Sequence, residues 1–206
     1  FCCILKVGLP TMIYDHAGRR KYLTIKERQA FIEATQRLRP EVQTFCLALA
    51  YTGARISEIL ALTPECIDTE AGIIIIESLK KRRRGVFRAV PVPGYFLRQL
   101  EAIHHLSATQ SNPTQRIKRI WPWSRTTAWA RIKKVMLSIG AAPGHSMPKA
   151  LRHAFGVGAI QKNVPLNIVQ KWMGHSRIST TAIYADATGD EERALAKRMW
   201  KQTYSP

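Results

Sequence analysis

The segment PKALRHAFG, residues 148–156, followed by WMGHSRISTTAIYAD, residues 172–186, decides how the chain folds and what it carries. The first reads as the start of a helix over 148–162. Helical spacing puts Lys149 and Arg152 three apart on one face, with Leu151 and Phe155 toward a core. In the second, a helix over 166–173 stops at Gly174, which places His175 at a loop or helix start. Tyr184 follows nine residues later, within a short helix over 178–185. Each residue has an ordinary explanation alone, since a lone histidine is usually structural and a tyrosine among apolar residues is usually core.

Upstream, Thr24-Ile25-Lys26-Glu27 has the form of a capping box and opens a helix through about Leu38, with Phe31, Ile32 and Ala34 among its apolar positions. Pro40 suits the first turn of a second helix, VQTFCLALAY, which ends at Thr52-Gly53. After that glycine, ARISEILALT reads as a further helix start, stopped by Pro64. The periodicity then changes. The β-branched run Ile73–Ile76, the basic stretch KKRRRG and VFRAVPVP read as two strands joined by a cationic turn. Helices over about Gly94–His105 and after Ser124, as N-cap, bracket residues 106–120, the best internal linker candidate. Gly140 to Gly144 forms a break, and a last helix is expected over 190–201. The sum is a mostly α chain with a small antiparallel β-sheet.

At 206 residues the chain has the length of one domain with an arm. Lys+Arg 32 against Asp+Glu 14 gives 32 − 14 = +18, and 46% of residues are hydrophobic. That apolar content excludes a disordered basic tail. A folded, strongly basic chain points to a polyanion, most often nucleic acid, with a ribosomal protein as the plainer alternative. No apolar run approaches the roughly 18 residues that span a bilayer. Cys2, Cys3, Cys46 and Cys66 form no CxxC pair and no metal-ligand spacing with the histidines, so a reduced, cytoplasmic chain is expected, with no metal and no cofactor. Residues 1–20 read as an N-terminal basic arm, and 1–11, ahead of Met12, carry no functional reading.

Two more segments hold charge where structure alone does not demand it. Thr52-Gly53-Ala54-Arg55 delivers an arginine between apolar runs, and Glu58, three residues on, can pair with it. That pairing could be purely structural. Five consecutive cations, Lys80, Lys81, Arg82, Arg83 and Arg84, sit at the hairpin tip, where they repel one another unless an anion lies near. Together the pieces fit metal-free phosphodiester cleavage. A tyrosine hydroxyl attacks phosphorus, arginines hold the non-bridging oxygens, and a lysine protonates the leaving oxygen. The shortage of clustered carboxylates agrees, because two-metal nucleases need them.

In these residues the chain resembles the tyrosine recombinases, the phage-type integrases. TGARISEILALT is similar to the family's first arginine box, and PKALRHAFG with WMGHSRISTTAIYAD to its second, in matching order and His-to-Tyr spacing. The resemblance covers roughly residues 21–200 and implies the family's catalytic-domain fold over 21–206. It implies Arg55 and Arg152 as phosphate-clamping arginines, His175 as a phosphate ligand, Tyr184 as nucleophile and Glu58 as a supporting acid. Lys80 fits the hairpin lysine best, with Lys81 one position away. Arg82, Arg83 and Arg84, together with Lys81, Arg88, Arg125, Arg131, Lys133 and Lys134, are expected to contact DNA.

Two features depart from the family pattern. Lys149 stands where members usually carry histidine, although lysine is a known variant there and is expected to be catalytic as proton acceptor or phosphate ligand, while His145 is a poor substitute ahead of Pro148. Only about twenty residues precede the catalytic domain, where most members have a core-binding domain. A single-domain member or a shortened gene would both give this. The function implied is a site-specific DNA recombinase working through a 3′-phosphotyrosine link, without ATP or metal. Double-stranded DNA is the expected partner, bound by four protomers on two sites, with a monomer or weak oligomer expected without DNA. The helix over 190–201 would dock on a neighbour or on its own protomer. A type IB topoisomerase and an inactive DNA-binding remnant are the alternatives. The setting expected is a bacterial, phage or mobile-element protein at the nucleoid.

Overall fold

Thr24 accepts the Glu27 backbone N–H at 3.2 Å while the Glu27 carboxylate accepts the Thr24 N–H at 2.7 Å. This reciprocal cap starts helix α1 (Ile25–Thr35), which ends three residues short of the expected Leu38. The structure, a computed structural model, describes residues 20–79, 85–142, 146–185 and 196–197. Helix α2 (Pro40–Thr52) begins on its proline and closes on Gly53 at φ 60, as its sequence predicts. Because α2 is apolar nearly all round, it becomes the central element, with Phe45, Cys46, Ala48 and Ala50 fully buried.

Helix α3 (Ile56–Leu60) and a single 3₁₀ turn at Pro64–Cys66 lead into strand β1 (Ile67–Asp68), which the sequence did not predict. Strands β2 (Ile73–Glu77) and β3 (Phe87–Pro91) complete an antiparallel sheet in the order β1-β2-β3. Ile74 pairs with Val90 and Ile76 with Arg88. All four side chains are buried, on the period-2 alternation of a half-covered sheet.

Helix α4 (Gly94–His104) packs on α2. The expected linker 106–120 is instead a packed excursion. It carries helix α5 (Leu106–Ser111), buries Leu106 completely, and is tied back where Gln110 Nε2 donates to the Pro64 and Ile67 carbonyls at 2.8 Å. Ser124 caps helix α6 (Arg125–Ser138) by accepting the Thr127 N–H at 3.1 Å. Helices α7 (Pro148–Gln161), α8 (Leu166–Met173) and α9 (Ser179–Ala182) finish the described fold.

The mostly helical expectation with one small sheet therefore holds. The main core joins α1, α2, α4, α6 and the sheet. A separate small cluster gathers Tyr22, Val157, Ala159, Val169, Met173 and Tyr184. Of the helix expected over 190–201 only residues 196–197 are described, as helix, and most of the arm over 1–20 lies outside the described residues. Among the described residues no helix is long and apolar enough to cross a membrane.

Candidate active site

Gly53 turns the chain out of α2 through the left-handed region, and a Cβ there would stand 2.4 Å from the Phe155 ring. Glycine is required on both counts. The turn sets Arg55 at the N-terminus of α3, where its backbone N–H and its guanidinium donate to Glu58 at 2.9 and 2.8 Å. The structural pair foreseen between Arg55 and Glu58 thus exists, yet the Arg55 side chain keeps 27% exposure. Glu58 has none and also receives Arg88 Nη2 at 2.6 Å. Burial alone would raise the Glu58 carboxyl, but Arg88 and Arg55 together hold it below its ordinary value.

Arg152, 8% exposed on α7, donates Nη1 to the Gly53 carbonyl at 2.6 Å and Nη2 to the Met173 carbonyl at 2.7 Å. Both acceptors lie at helix C-termini, where free carbonyls and the helix dipole favour a cation. Burial, and then Arg55, push Arg152 down to about 10, so it remains charged at neutral pH. Arg88 grips the same end of α8, donating Nε to the Trp172 carbonyl at 2.8 Å and Nη1 to Ser78 Oγ at 3.0 Å. This corrects the expectation that Arg88 contacts DNA: it is 6% exposed, and its guanidinium is used inside the fold. The signal was Val90, which shares its face of β3, although the apolar Phe87 pointed the pattern the other way.

Beyond Met173, Gly174 at φ 64 reverses the chain and presents His175. His175 Nδ1 lies 2.8 Å from Thr181 Oγ1, which fixes the ring, and its ring stacks on Tyr184 with centroids 6.2 Å apart and planes at 19°. Burial, followed by the charges of Arg152 and Arg55, pushes His175 down to about 4, so it is neutral at pH 7.

Tyr184 is 1% exposed. Its ring lies against Gly156, where a Cβ would come within 2.6 Å of it, and its hydroxyl lies 3.1 Å from His153 Nδ1. Burial raises the phenol to about 12 against the opposing pull of Arg152 and Arg55. His153, which sequence reading did not single out, is 3% exposed and pushed down to about 3 by burial and then by Lys149, Arg152 and His175.

Arg55, Arg152, His175 and Tyr184 therefore converge, with Glu58 paired to Arg55 and Arg88. Lys149 is exposed at the second residue of α7, three before Arg152, and its charge acts on His153. On α6, Arg125, Lys133 and Lys134 are exposed, while Arg131 is half-buried with its guanidinium 4.1 Å from the Trp123 ring centre. Lys80, Lys81, Arg82, Arg83, Arg84 and His145 lie outside the described residues. Among the described residues no three His, Cys, Asp or Glu side chains cluster as metal ligands. The guanidiniums of Arg55, 27% exposed, and Arg152 suit an anion with several oxygens.

The chain is 26% identical over 181 residues to the tyrosine recombinase XerA of Thermococcus kodakarensis, covering 86% of this chain and 62% of that protein. It thus spans about three-fifths of that relative's length. A crystal structure of XerA recombinase shares the fold with a TM-score of 0.69 at 23% identity, covering 90% of this chain and 65% of that one. So does the XerH site-specific recombinase, bound to its difH substrate, at a TM-score of 0.68 and 17% identity, covering 91% and 59%. The family model for the phage integrase family matches residues 21–191, so with its two arginine boxes, histidine and tyrosine gathered at one place, the chain belongs to the phage integrase family.

Proposed function

We propose that residues 21–206 form the catalytic domain of a site-specific DNA recombinase, preceded by a basic arm over 1–20. The domain cleaves and rejoins strands of double-stranded DNA through a 3′-phosphotyrosine link. Arg55 and Arg152 hold the non-bridging oxygens of the scissile phosphate and stabilise the charge that grows on them, with His175 as a third ligand. Tyr184 supplies the nucleophilic oxygen. Lys80 protonates the departing 5′ oxygen, and Lys149 is a further catalytic cation, as a phosphate ligand. Lys81 with Arg82, Arg83 and Arg84, and Arg125, Arg131, Lys133 and Lys134 on α6, hold the DNA backbone. Four protomers act on two sites. Each exchange conserves bond energy, so the reaction needs no nucleotide cofactor.

The observation that carries this reading is the convergence of Arg55, Arg152 and His175 on a buried tyrosine within a chain of net charge +18. The test uses duplexes recovered by binding selection from a random-sequence pool and nicked near each candidate position. A covalent protein–DNA adduct that survives denaturing gels, and resists EDTA, supports the enzyme. Retarded but unlinked DNA would leave a binding protein only.

A further inference from the structure

A phenol that attacks phosphorus must lose its proton, and the geometry limits which group can take it. Arginine and lysine in their charged forms have no lone pair to accept a hydrogen bond. His175 stacks on the Tyr184 ring, face to face at 19°, and spends Nδ1 on Thr181. His153 does reach the oxygen, with Nδ1 3.1 Å from the Tyr184 hydroxyl and the two rings tilted at 57°. It stands on α7 directly after Arg152, so the residue that holds the phosphate and the one that meets the nucleophile share one rigid turn.

Resting on the recombinase reading, we propose that His153 is the proton acceptor for Tyr184. As the bond from Tyr184 Oη to phosphorus forms, the phenolic proton moves to His153 Nδ1. The bond from phosphorus to the 5′ oxygen breaks, and that oxygen takes a proton from a lysine ammonium of the site. On rejoining, the proton on His153 returns to Oη as the phosphotyrosine bond breaks.

The surroundings of the ring make this acceptor depend on substrate. Behind it, Nε2 is buried with no hydrogen-bond partner, so no carboxylate stabilises an imidazolium from that side. Burial first, and then the charges of Lys149, Arg152, His175 and Lys21, keep the free imidazole neutral. A phosphodiester held by Arg152 places negative charge in that field and raises the proton affinity of His153. Proton transfer is thus tied to occupancy, and Tyr184 stays a protonated phenol when no DNA is present.

The experiment measures adduct formation on the selected nicked duplexes for wild type, H153N and H153F. Each is made with tyrosine and with a fluorinated, more acidic tyrosine at position 184. Asparagine keeps an acceptor near the place of Nδ1 but cannot carry the proton away. Adduct formation should fall about 10²-fold or more in H153F and less in H153N, with DNA affinity unchanged. The more acidic phenol should recover at least about tenfold of the H153N defect while changing wild type little, as expected when proton removal limits the step. A defect that fluorination leaves untouched would make His153 structural. Faster adduct formation in either variant would make it a latch, and an unchanged rate a bystander. If H153F fails to fold, H153N with the two tyrosines decides. Wild type giving no adduct at all would overturn the recombinase reading itself, whereas adduct in wild type with undiminished variants overturns only the role of His153.

Discussion

Arg152 Nη1 donates to the Gly53 carbonyl at 2.6 Å, joining two turns 99 residues apart in the chain. This one bond sets the second arginine box against the first, because Gly53 is the pivot that delivers Arg55. Arg55 and Arg152 are therefore held in mutual register through the Gly53 backbone.

Tyr184→Phe should abolish adduct formation while leaving DNA affinity within about twofold. The ring keeps its seat on Gly156 and beside His175, and only the nucleophilic oxygen is lost. Gel shift and denaturing gel on the same samples check this. Adduct persisting in the variant would place the nucleophile elsewhere.

Arg55→Ala and Arg152→Ala should differ in kind. Each costs about 10²-fold or more in cleavage, as lost electrostatic donors do. Arg55→Ala leaves Glu58 paired with Arg88, so the melting temperature should move little. Arg152→Ala strips the buried partner from two helix-end carbonyls, so its melting temperature should fall clearly. Equal thermal losses would contradict the division of labour seen here.

Arg88→Ala should destabilise the fold by about 3 kcal/mol, the scale for breaking a buried ion pair. It should not change the salt dependence of DNA binding. By contrast, Arg125→Ala, Lys133→Ala or Lys134→Ala should each lower the slope of log affinity against log salt by about one where the cation meets a phosphate. Binding isotherms at several salt concentrations separate the two classes.

Acidification should lower stability well before the carboxylates titrate. His153 and His175 carry values of about 3 and 4 in the fold, against 6.5 ordinarily. The unfolded chain therefore takes up their protons first. The stability these histidines confer is full above about pH 6.5 and is lost as pH falls toward their folded values. Melting temperature should decline across that window, more shallowly in His153→Asn. The depressed Glu58 carboxyl adds a further loss only at lower pH, below the ordinary carboxylate value. A flat profile from about pH 7 to 4 would contradict neutral, buried imidazoles.

What the sequence made legible was local. The Thr24–Glu27 box, Pro40, Gly53, Ser124 and Gly174 each fix a helix end through their own backbone chemistry, and each end lies where they put it. The family boxes likewise named Arg55, Arg152, His175 and Tyr184 by spacing. Long-range contacts were not legible. Strand β1 exists only by pairing with β2, and residues 106–120 looked like linker because Gln110 finds its carbonyl partners more than forty residues away. Arg88 faces inward because Glu58, Ser78 and Trp172 meet there. His153 was missed because its partner is 31 residues on, and nothing in PKALRHAFG separates an imidazole that faces a tyrosine from one that fills a core.

Arg88 and Arg152 between them hold the Trp172 and Met173 carbonyls at the end of α8. This ties a chemical residue to the architecture and exposes another to drift. On the recombinase reading, a descendant freed from selection for that activity could discard Tyr184's hydroxyl or Arg55's guanidinium and still fold. It could not discard Arg152 without loosening α8 from α2. Decayed copies of this domain should therefore lose the nucleophile early and keep the second arginine long after it has any phosphate to hold.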